Sequence, residues 1–239
     1  NAAIGARRFV LNIGFAIAIS GAMDGASKGF LSDLGTLALD GSVALIMLFI
    51  AQAVNDKILL HKINNEKEIE KRNVAVGVSE CGSYIATGLI INGSLSGEGG
   101  GIGSVILFVL LGQVALIILS GLYELITKFD VQEEIQDTPK NDGNLAAGIA
   151  LSGMIVAIGI ILRASIMGDF VSWENDIKYF FMNAGSGVII LLVARLLIDK
   201  IILPKDSLHN LVRKRNYASL ITASSGIIGI AIVIASVIS

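Results

Sequence analysis

Charged side chains inside long apolar stretches are the residues of this sequence that are best placed to do chemistry. A charge near the middle of a bilayer is costly unless it is paired or hydrated, so each one needs a physical reason to be there. Carboxylates in such positions bind protons or cations, and arginines pair with carboxylates. The residues of this kind are Arg7, Arg8, Asp40, Glu80, Glu124, Arg195 and Asp199.

Arg8 and Glu80 occupy matching places, each seven residues after an asparagine that opens an apolar run. The rise of an α-helix puts both at a depth of roughly 10 Å. Opposite charges at one depth favour an ion pair between two helices, in which Arg7 or Arg8 holds Glu80 as a structural partner. The alternative is that Glu80 is a proton-binding or cation-binding carboxylate.

Four other charges form two pairs. Glu124 precedes Lys128, and Arg195 precedes Asp199, by four residues, which places each pair on one helical face. These pairs lie near helix ends, where long side chains can extend to the head groups. Arg163, at the end of another apolar run, is predicted to do the same.

Asp40 lies towards the other end of its helix, and two interpretations of it stay open. It is either an outer acceptor for a cation or proton, with Glu80 as the inner counterpart, or the cap of a shorter helix at the outer interface.

Composition places these residues in a membrane protein. Of the 239 residues, 54% are hydrophobic and 16% are charged, and the mean hydropathy is +0.75, which is too apolar for an ordinary soluble domain. Apolar runs of about 20 residues, enough to span a hydrocarbon core, recur along the chain. The net charge of −2 gives no reason to expect nucleic acid, and the single Cys81 excludes an intrachain disulfide.

Signals for enzyme chemistry are nearly absent. His61 and His209 lack the companions of a metal site, and the glycine-rich segment "GEGGGIG" at 97–103 follows no strand and lacks the lysine of a phosphate-binding loop. We therefore predict no catalytic residue, cofactor or metal, and expect a protein that is not an enzyme.

The sequence repeats with a period of about 72 residues. The openings "NAAIG", "NVAVG", "NLAAG" and "NYASL" are separated by 72, 71 and 72 residues, and each starts an apolar run. The predicted unit is a helical hairpin, so the fold class is all-α, a polytopic transmembrane bundle. We predict one membrane domain, 1–239, with repeats 1–72, 73–143 and 144–215 and a half-repeat 216–239. The seven predicted helices, which become eight if a return helix precedes them, are 2–20, 34–56, 74–92, 103–127, 145–163, 178–201 and 217–238.

The asparagines that open the repeats are predicted N-caps, because their side chains satisfy N–H groups that lipid cannot. A ring of amides around a vestibule is the alternative. The four are Asn1, Asn73, Asn144 and Asn216. Small residues four apart on these first helices allow close packing, which predicts an inner set of helices and either a homo-oligomer or a chain that closes on itself.

Lys and Arg concentrate in the connections 57–72, 128–143 and 200–215, which are therefore predicted to be cytoplasmic. The connections 57–72 and 200–215 would touch anionic lipids or a cytoplasmic protein partner, or act only as topological signals on a solvated surface.

The tandem openings, together with return helices that end in "NDKILL" and "IDKIIL", resemble the bacterial inner-membrane family catalogued as domain of unknown function 350. The likeness spans essentially the whole chain, although Leu220 in the last repeat replaces a glycine of the others. The resemblance implies a multi-pass helical protein of the inner (cytoplasmic) membrane and no established activity. It also suggests an association with membrane stress.

Two functions follow from these observations. The first is translocation of an ion or small solute by a bundle whose polar layer includes Arg8, Asp40, Glu80 and Glu124. The second is a non-catalytic scaffold or stress-response component that recruits a cytoplasmic partner. We favour the first slightly, because buried charges are expensive to keep.

Overall fold

The computed structural model describes residues 2–23, 29–127, 130–138, 141–201 and 208–239, with the side chains of these residues except 2–6, 141 and 198–201. Within these ranges the chain is almost entirely helical. The helices are α1 (Ala2–Ser20), α2 (Phe30–Ile58), α3 (Asn65–Glu70), α4 (Val74–Leu95), α5 (Gly101–Ile126), α6 (Val131–Ile135), α7 (Leu145–Ile166), α8 (Trp173–Ile201), α9 (Leu208–Arg213) and α10 (Tyr217–Ile238).

The helical fold class predicted from the sequence is confirmed. In the described part of the chain, α2, α4, α5, α7, α8 and α10 are long and apolar enough to cross a membrane. The largest boundary differences concern α2, which begins at Phe30 rather than at residue 34, and α8, which begins at Trp173 rather than at residue 178. In α8 the extension is favoured by Glu174 and Asp176, because acidic groups in a first turn interact well with the helix dipole.

Four parallel helices form a row in the order α1, α4, α7, α10, each packed closely on the next. The return helices fill the grooves along this row: α2 contacts α1 and α4, α5 contacts α4 and α7, and α8 contacts α7 and α10. As a result α4 and α7 are the most buried of the membrane-spanning helices, and their core residues include Ile90, Leu151, Met154 and Ile155.

Glycine makes the close approach within the row possible. A Cβ on Gly82 would lie 2.5 Å from Ser152 Oγ, and a Cβ on Gly88 would lie 2.5 Å from the backbone oxygen of Gly14. Atoms at such distances clash, so neither position accepts a side chain without movement of a neighbouring helix.

The short helices α3, α6 and α9 lie at one end of the bundle, which we call the basic side because the Lys- and Arg-rich connections are there. A β-hairpin of two residues per strand, Asp137–Thr138 (β1) and Asn141–Asp142 (β2), follows α6. The sequence had not suggested this hairpin.

Three of the asparagines that open the predicted repeats, Asn73, Asn144 and Asn216, stand directly before helices of the row. Asn73 Oδ1 accepts hydrogen bonds from the backbone N–H groups of Ala75 (3.0 Å) and Val76 (3.3 Å). Asn144 caps α7 through Ala146, and Asn216 caps α10 through Ser219. The Nδ2 groups of Asn73 and Asn144 also donate to backbone oxygens of the next short helix, Ile135 of α6 and Val212 of α9. Asn1 lies outside the described residues.

Candidate functional site

Among the described side chains of the membrane-spanning helices, Glu80 has the most deeply buried carboxylate, with 3% of its surface exposed. Its position on α4 faces α1 and α2. Arg7 Nη2 lies 3.7 Å from Glu80 Oε1, which is an ionic contact but too long for a hydrogen bond. Among the described residues, no donor hydrogen-bonds to Glu80 Oε1.

Arg7 serves two carboxylates at once. Its Nη2 donates to Asp56 Oδ2 at 2.9 Å, and its Nε lies 3.4 Å from the Tyr84 hydroxyl. Asp56 Oδ1 accepts a further hydrogen bond, 3.0 Å, from Asn65 Nδ2. We call Arg7, Asp56, Asn65, Glu80 and Tyr84 the charged cluster; with both carboxylates ionised it carries one more negative than positive charge.

A second group of buried polar side chains lies deeper in the membrane. Asn55 Nδ2 donates to Ser83 Oγ (2.9 Å) and Thr87 Oγ1 (3.1 Å), and Asn55 Oδ1 accepts from Gln113 Nε2. We call Asn55, Ser83, Thr87 and Gln113 the amide cluster. It joins α2, α4 and α5, and its members satisfy one another, as buried polar groups must.

A cavity of about 10 Å³ connects the two clusters, which is about the volume that one water molecule needs. Asp56 and Glu80 line it from the charged cluster, and Asn55 and Ser83 from the amide cluster. Although most of its accessible wall is apolar, these four polar side chains make one water molecule a suitable occupant.

An open pocket of about 640 Å³ lies on the opposite side of the bundle, among the ends of α2, α4, α5, α7, α8 and α10. Four acids line it, Asp40, Glu98, Asp169 and Asp176, and its described lining contains no Lys or Arg. Two of these acids also bond the surrounding loops: Asp169 accepts from the Glu98 N–H, and Asp176 accepts from the N–H groups that precede α8.

A dry layer separates this pocket from the amide cluster. Ile90, Ile91 and Val109 are buried there on α4 and α5. From Thr87 to Gly93, which lines the pocket, the helical rise gives a thickness of about 9 Å. The described structure is therefore closed between its acidic pocket and its charged cluster.

The structure separates most of the charges that the sequence suggested as one polar layer. Of the two predicted partners of Glu80, Arg7 contacts it, whereas Arg8 lies exposed on α1. Consecutive helical residues point about 100° apart, and only Arg7 faces α4. Asp40 lines the acidic pocket ten residues after α2 begins, so its interpretation as a helix cap is wrong.

In the described part of the chain, Glu124 and Arg195 contact uncharged side chains. The Glu124 carboxylate accepts hydrogen bonds from Gln132 Nε2 at 3.0 and 3.2 Å. The guanidinium of Arg195 lies 4.5 Å from the centre of the Tyr123 ring, a cation–π contact. Lys128 and the Asp199 side chain, their predicted partners, lie outside the described residues.

Arg163, which is predicted to extend to the head groups, instead hydrogen-bonds within the bundle. Its Nε donates to Asn92 Oδ1, and Asn92 Nδ2 donates to Ile17 O and Ser20 Oγ, both at 2.9 Å. These contacts tie α1, α4 and α7 together near the acidic pocket.

Sequence reasoning missed the amide cluster, because its members are neutral. One signal was present in the similar segments "GSVALIML" and "GQVALIIL". The second segment has Gln113 where the first has Ser42, so it carries a larger polar side chain in the apolar part of the helix. In the described ranges no three His, Cys, Asp or Glu side chains converge in a way that would hold a metal ion.

The hydropathy of the long helices, their row-and-groove packing and the buried charges define a multi-pass α-helical membrane protein. The chain belongs to the family described as Domain of Unknown Function (DUF350), whose model matches residues 1–95 and 99–239. It is similar to a UPF0719 transmembrane protein of Aquifex aeolicus (strain VF5), with 26% identity over 172 residues, 68% of this chain and 62% of the relative's length. No solved structure gives a significant match.

Proposed function

We propose that the protein is a non-enzymatic translocator of protons or small monovalent cations in the bacterial inner membrane, with Glu80 as the ion-binding carboxylate. The observation that carries this proposal is the unbonded, buried Oε1 of Glu80 beside an arginine that already serves Asp56. A buried carboxylate with an unfilled hydrogen-bond site gains most from taking up a proton or a cation.

The surroundings support a path for such an ion. The acidic pocket would raise the local concentration of cations at one face. The amide cluster and the small cavity supply polar oxygens between the dry layer and Glu80. Because the dry layer closes the described state, transport would require movement of α2 or α5 relative to α4 that hydrates this layer.

Flux through purified protein in liposomes tests the proposal. We expect proton or monovalent cation flux from the wild type and at least a tenfold loss in Glu80→Gln, which keeps the side-chain shape but removes the charge. Glu124→Gln is the matched control, because it makes the same change in a membrane-spanning carboxylate outside both clusters. Equal flux in wild type and Glu80→Gln, or none in either, would reject the proposal.

The scaffold remains the second candidate. Lys67, Arg72, Arg213 and Lys214 are exposed on the basic side, where a peripheral protein would meet them. Liposomes without any flux, together with a soluble protein that co-purifies with the wild type and is lost when these four residues are replaced by Gln, would favour it.

A further inference from the structure

One arginine stands between two carboxylates towards the basic side of the bundle. Arg7 Nη2 lies 2.9 Å from Asp56 Oδ2 and 3.7 Å from Glu80 Oε1. With both carboxylates ionised, the three side chains carry a net negative charge, and an unbalanced charge is costly to bury. A single proton balances the charge, and either carboxylate can hold it, because like charges that share a site favour protonation of one of them.

The geometry allows this proton to move from one carboxylate to the other. Both carboxylates line the cavity of about 10 Å³, which has room for about one water molecule. Two hydrogen bonds of about 2.8 Å through one water join oxygens up to about 5.6 Å apart. Asp56 Oδ2 and Glu80 Oε1 both lie within 3.7 Å of one nitrogen, so a separation of this size is within their reach.

The transfer conserves atoms and charge. The O–H bond on Glu80 breaks as its proton passes to the oxygen of the water, and the same water gives one of its own protons to the Asp56 carboxylate. One O–H bond is lost on Glu80, one is formed on Asp56, and the water is regenerated. Because Arg7 contacts both groups, it can pair with whichever carboxylate is ionised, so the three side chains are neutral before and after the step.

Asp56 is placed to exchange this proton with the solution on the basic side. It lies two residues before Ile58, the last residue of α2, and 29% of its side chain is exposed, against 4% for Glu80. Asn65 of α3 donates to Asp56 Oδ1 and also lies beside Glu80, so α3 fixes the position of both carboxylates. The exposed Glu66 of α3 is a further carboxylate near Asp56, on the outer surface of α3.

The surroundings of the two carboxylates favour a proton over a metal cation. In the described structure, the charged or titratable side chains next to them are Arg7 of α1, Glu66 of α3 and Tyr84 of α4. A metal cation on Glu80 would lie beside the positive charge of Arg7, which repels it. The cavity also leaves no space for the hydration water of such a cation, whereas a proton forms an O–H bond and needs no extra space.

We infer that Glu80 and Asp56 form a proton relay, in which one proton passes between them through a water molecule, and that the translocated ion is the proton. This inference rests on the proposed function. It adds the identity of the ion and the residue through which the ion reaches the solution on the basic side.

Proton flux into liposomes, driven by a pH gradient with a permeant anion to balance charge, tests the relay. The flux should be unchanged when N-methylglucamine replaces Na⁺ and K⁺. It should fall about tenfold or more in Asp56→Asn, since a positioned proton-transfer group contributes at least that much. Asp56→Glu, which keeps a carboxylate, should retain most of the flux. Asp130→Asn is the matched control, because it makes the same change in another ion-paired aspartate of the basic side, with 37% of its side chain exposed.

Chemical rescue separates proton transfer from a structural role of Asp56. Formate is a small soluble proton carrier that can reach the partly exposed position of Asp56 but not the buried Glu80. Added formate should therefore raise the proton flux of Asp56→Asn and not that of Glu80→Gln. Formic acid also carries protons across lipid by itself, and the Glu80→Gln liposomes measure this background.

The outcomes distinguish the relay from the function on which it rests. Flux that depends on Glu80 but requires Na⁺ or K⁺, or that is equal in Asp56→Asn and wild type, would overturn the relay and leave the proposed function standing. A loss in Asp56→Asn that neither Asp56→Glu nor formate reverses would show a purely structural role and overturn the relay as well, whereas recovery by either one supports it. Absence of any flux that depends on Glu80 would reject the proposed function and the relay together.

Discussion

At the scale of single residues, one arginine is the shared partner of two carboxylates in the membrane-spanning helices. Arg7 contacts Asp56 and Glu80, which lie on two other helices, whereas its neighbour Arg8 points away from the bundle. The two adjacent arginines should therefore contribute very differently to the free energy of unfolding, and this difference can be measured.

Arg7→Gln should lower the free energy of unfolding by about 2 kcal/mol or more, because it leaves Asp56 and Glu80 without their shared cation. This value is below that for a fully buried ion pair, since 29% of the Asp56 side chain is exposed and keeps some water. Arg8→Gln is the matched control and should change little. Thermal unfolding of both variants in detergent measures the difference, and equal losses would contradict the role of Arg7.

Glu68, on the basic side, gives a prediction about pH. Burial alone would raise the pKa of Glu68, but hydrogen bonds from Asn73 and Lys71 and from the Asp137 N–H hold this pKa below its usual range. The pKa of an unfolded glutamate is about 4.3. The stabilisation is therefore present above about pH 4.3 and is lost as the pH falls through the lower folded-state pKa.

The unfolding temperatures of wild type and Glu68→Gln should thus differ at pH 6 to 7, and the difference should shrink as the pH falls below about 4.3 and through the lower folded-state pKa of Glu68. Glu66→Gln, which changes an exposed residue of the same helix, should stay close to wild type at neutral pH. A difference between wild type and Glu68→Gln that does not shrink as the pH falls below about 4.3 would show that the Glu68 charge does not stabilise the fold.

At the scale of helices, packing depends on the close contacts between neighbouring helices of the row. Gly82→Ala should destabilise the protein by about 1–3 kcal/mol, because the new methyl group would clash with Ser152 on α7. Gly77→Ala on the same helix meets nothing within 4 Å and should be neutral or stabilising by up to about 1 kcal/mol. Denaturation in mixed micelles compares the two, and an equal effect would mean that α4 and α7 are not in tight contact.

The helices, and the starts of α4, α7 and α10, could be predicted from the sequence because their causes are local. Hydropathy sets the spans, and an asparagine caps a helix through N–H groups two or three residues away. The rotation of each helix about its own axis has no such local cause, because it is set by contacts with residues that are distant in the sequence. The choice of Arg7 over Arg8 depends on how α1 packs on α4, for instance through Gly14 and Tyr84, and a comparison of sequence positions assumes this packing without showing it.

At the scale of the whole molecule, charge asymmetry predicts orientation. The basic side should face the cytoplasm and the acidic pocket the outside. In a Cys81→Ser background, Glu98→Cys should react with a membrane-impermeant maleimide added to intact cells, whereas Lys67→Cys should react only after the membrane is opened. Both positions are exposed, so access alone decides the result. The reverse pattern would invert the predicted topology.

The caps on the basic side also bear on how the protein is made. Asn73 donates to an oxygen 62 residues later in the chain, and Asn144 to one 68 residues later. At synthesis rates of about 5–20 residues per second, several seconds pass before each cap meets its second partner. The hairpins that open at Asn73 and Asn144 thus leave the ribosome with one hydrogen-bonding group still unfilled, and the next segment of the chain fills it, which favours assembly in the order of translation.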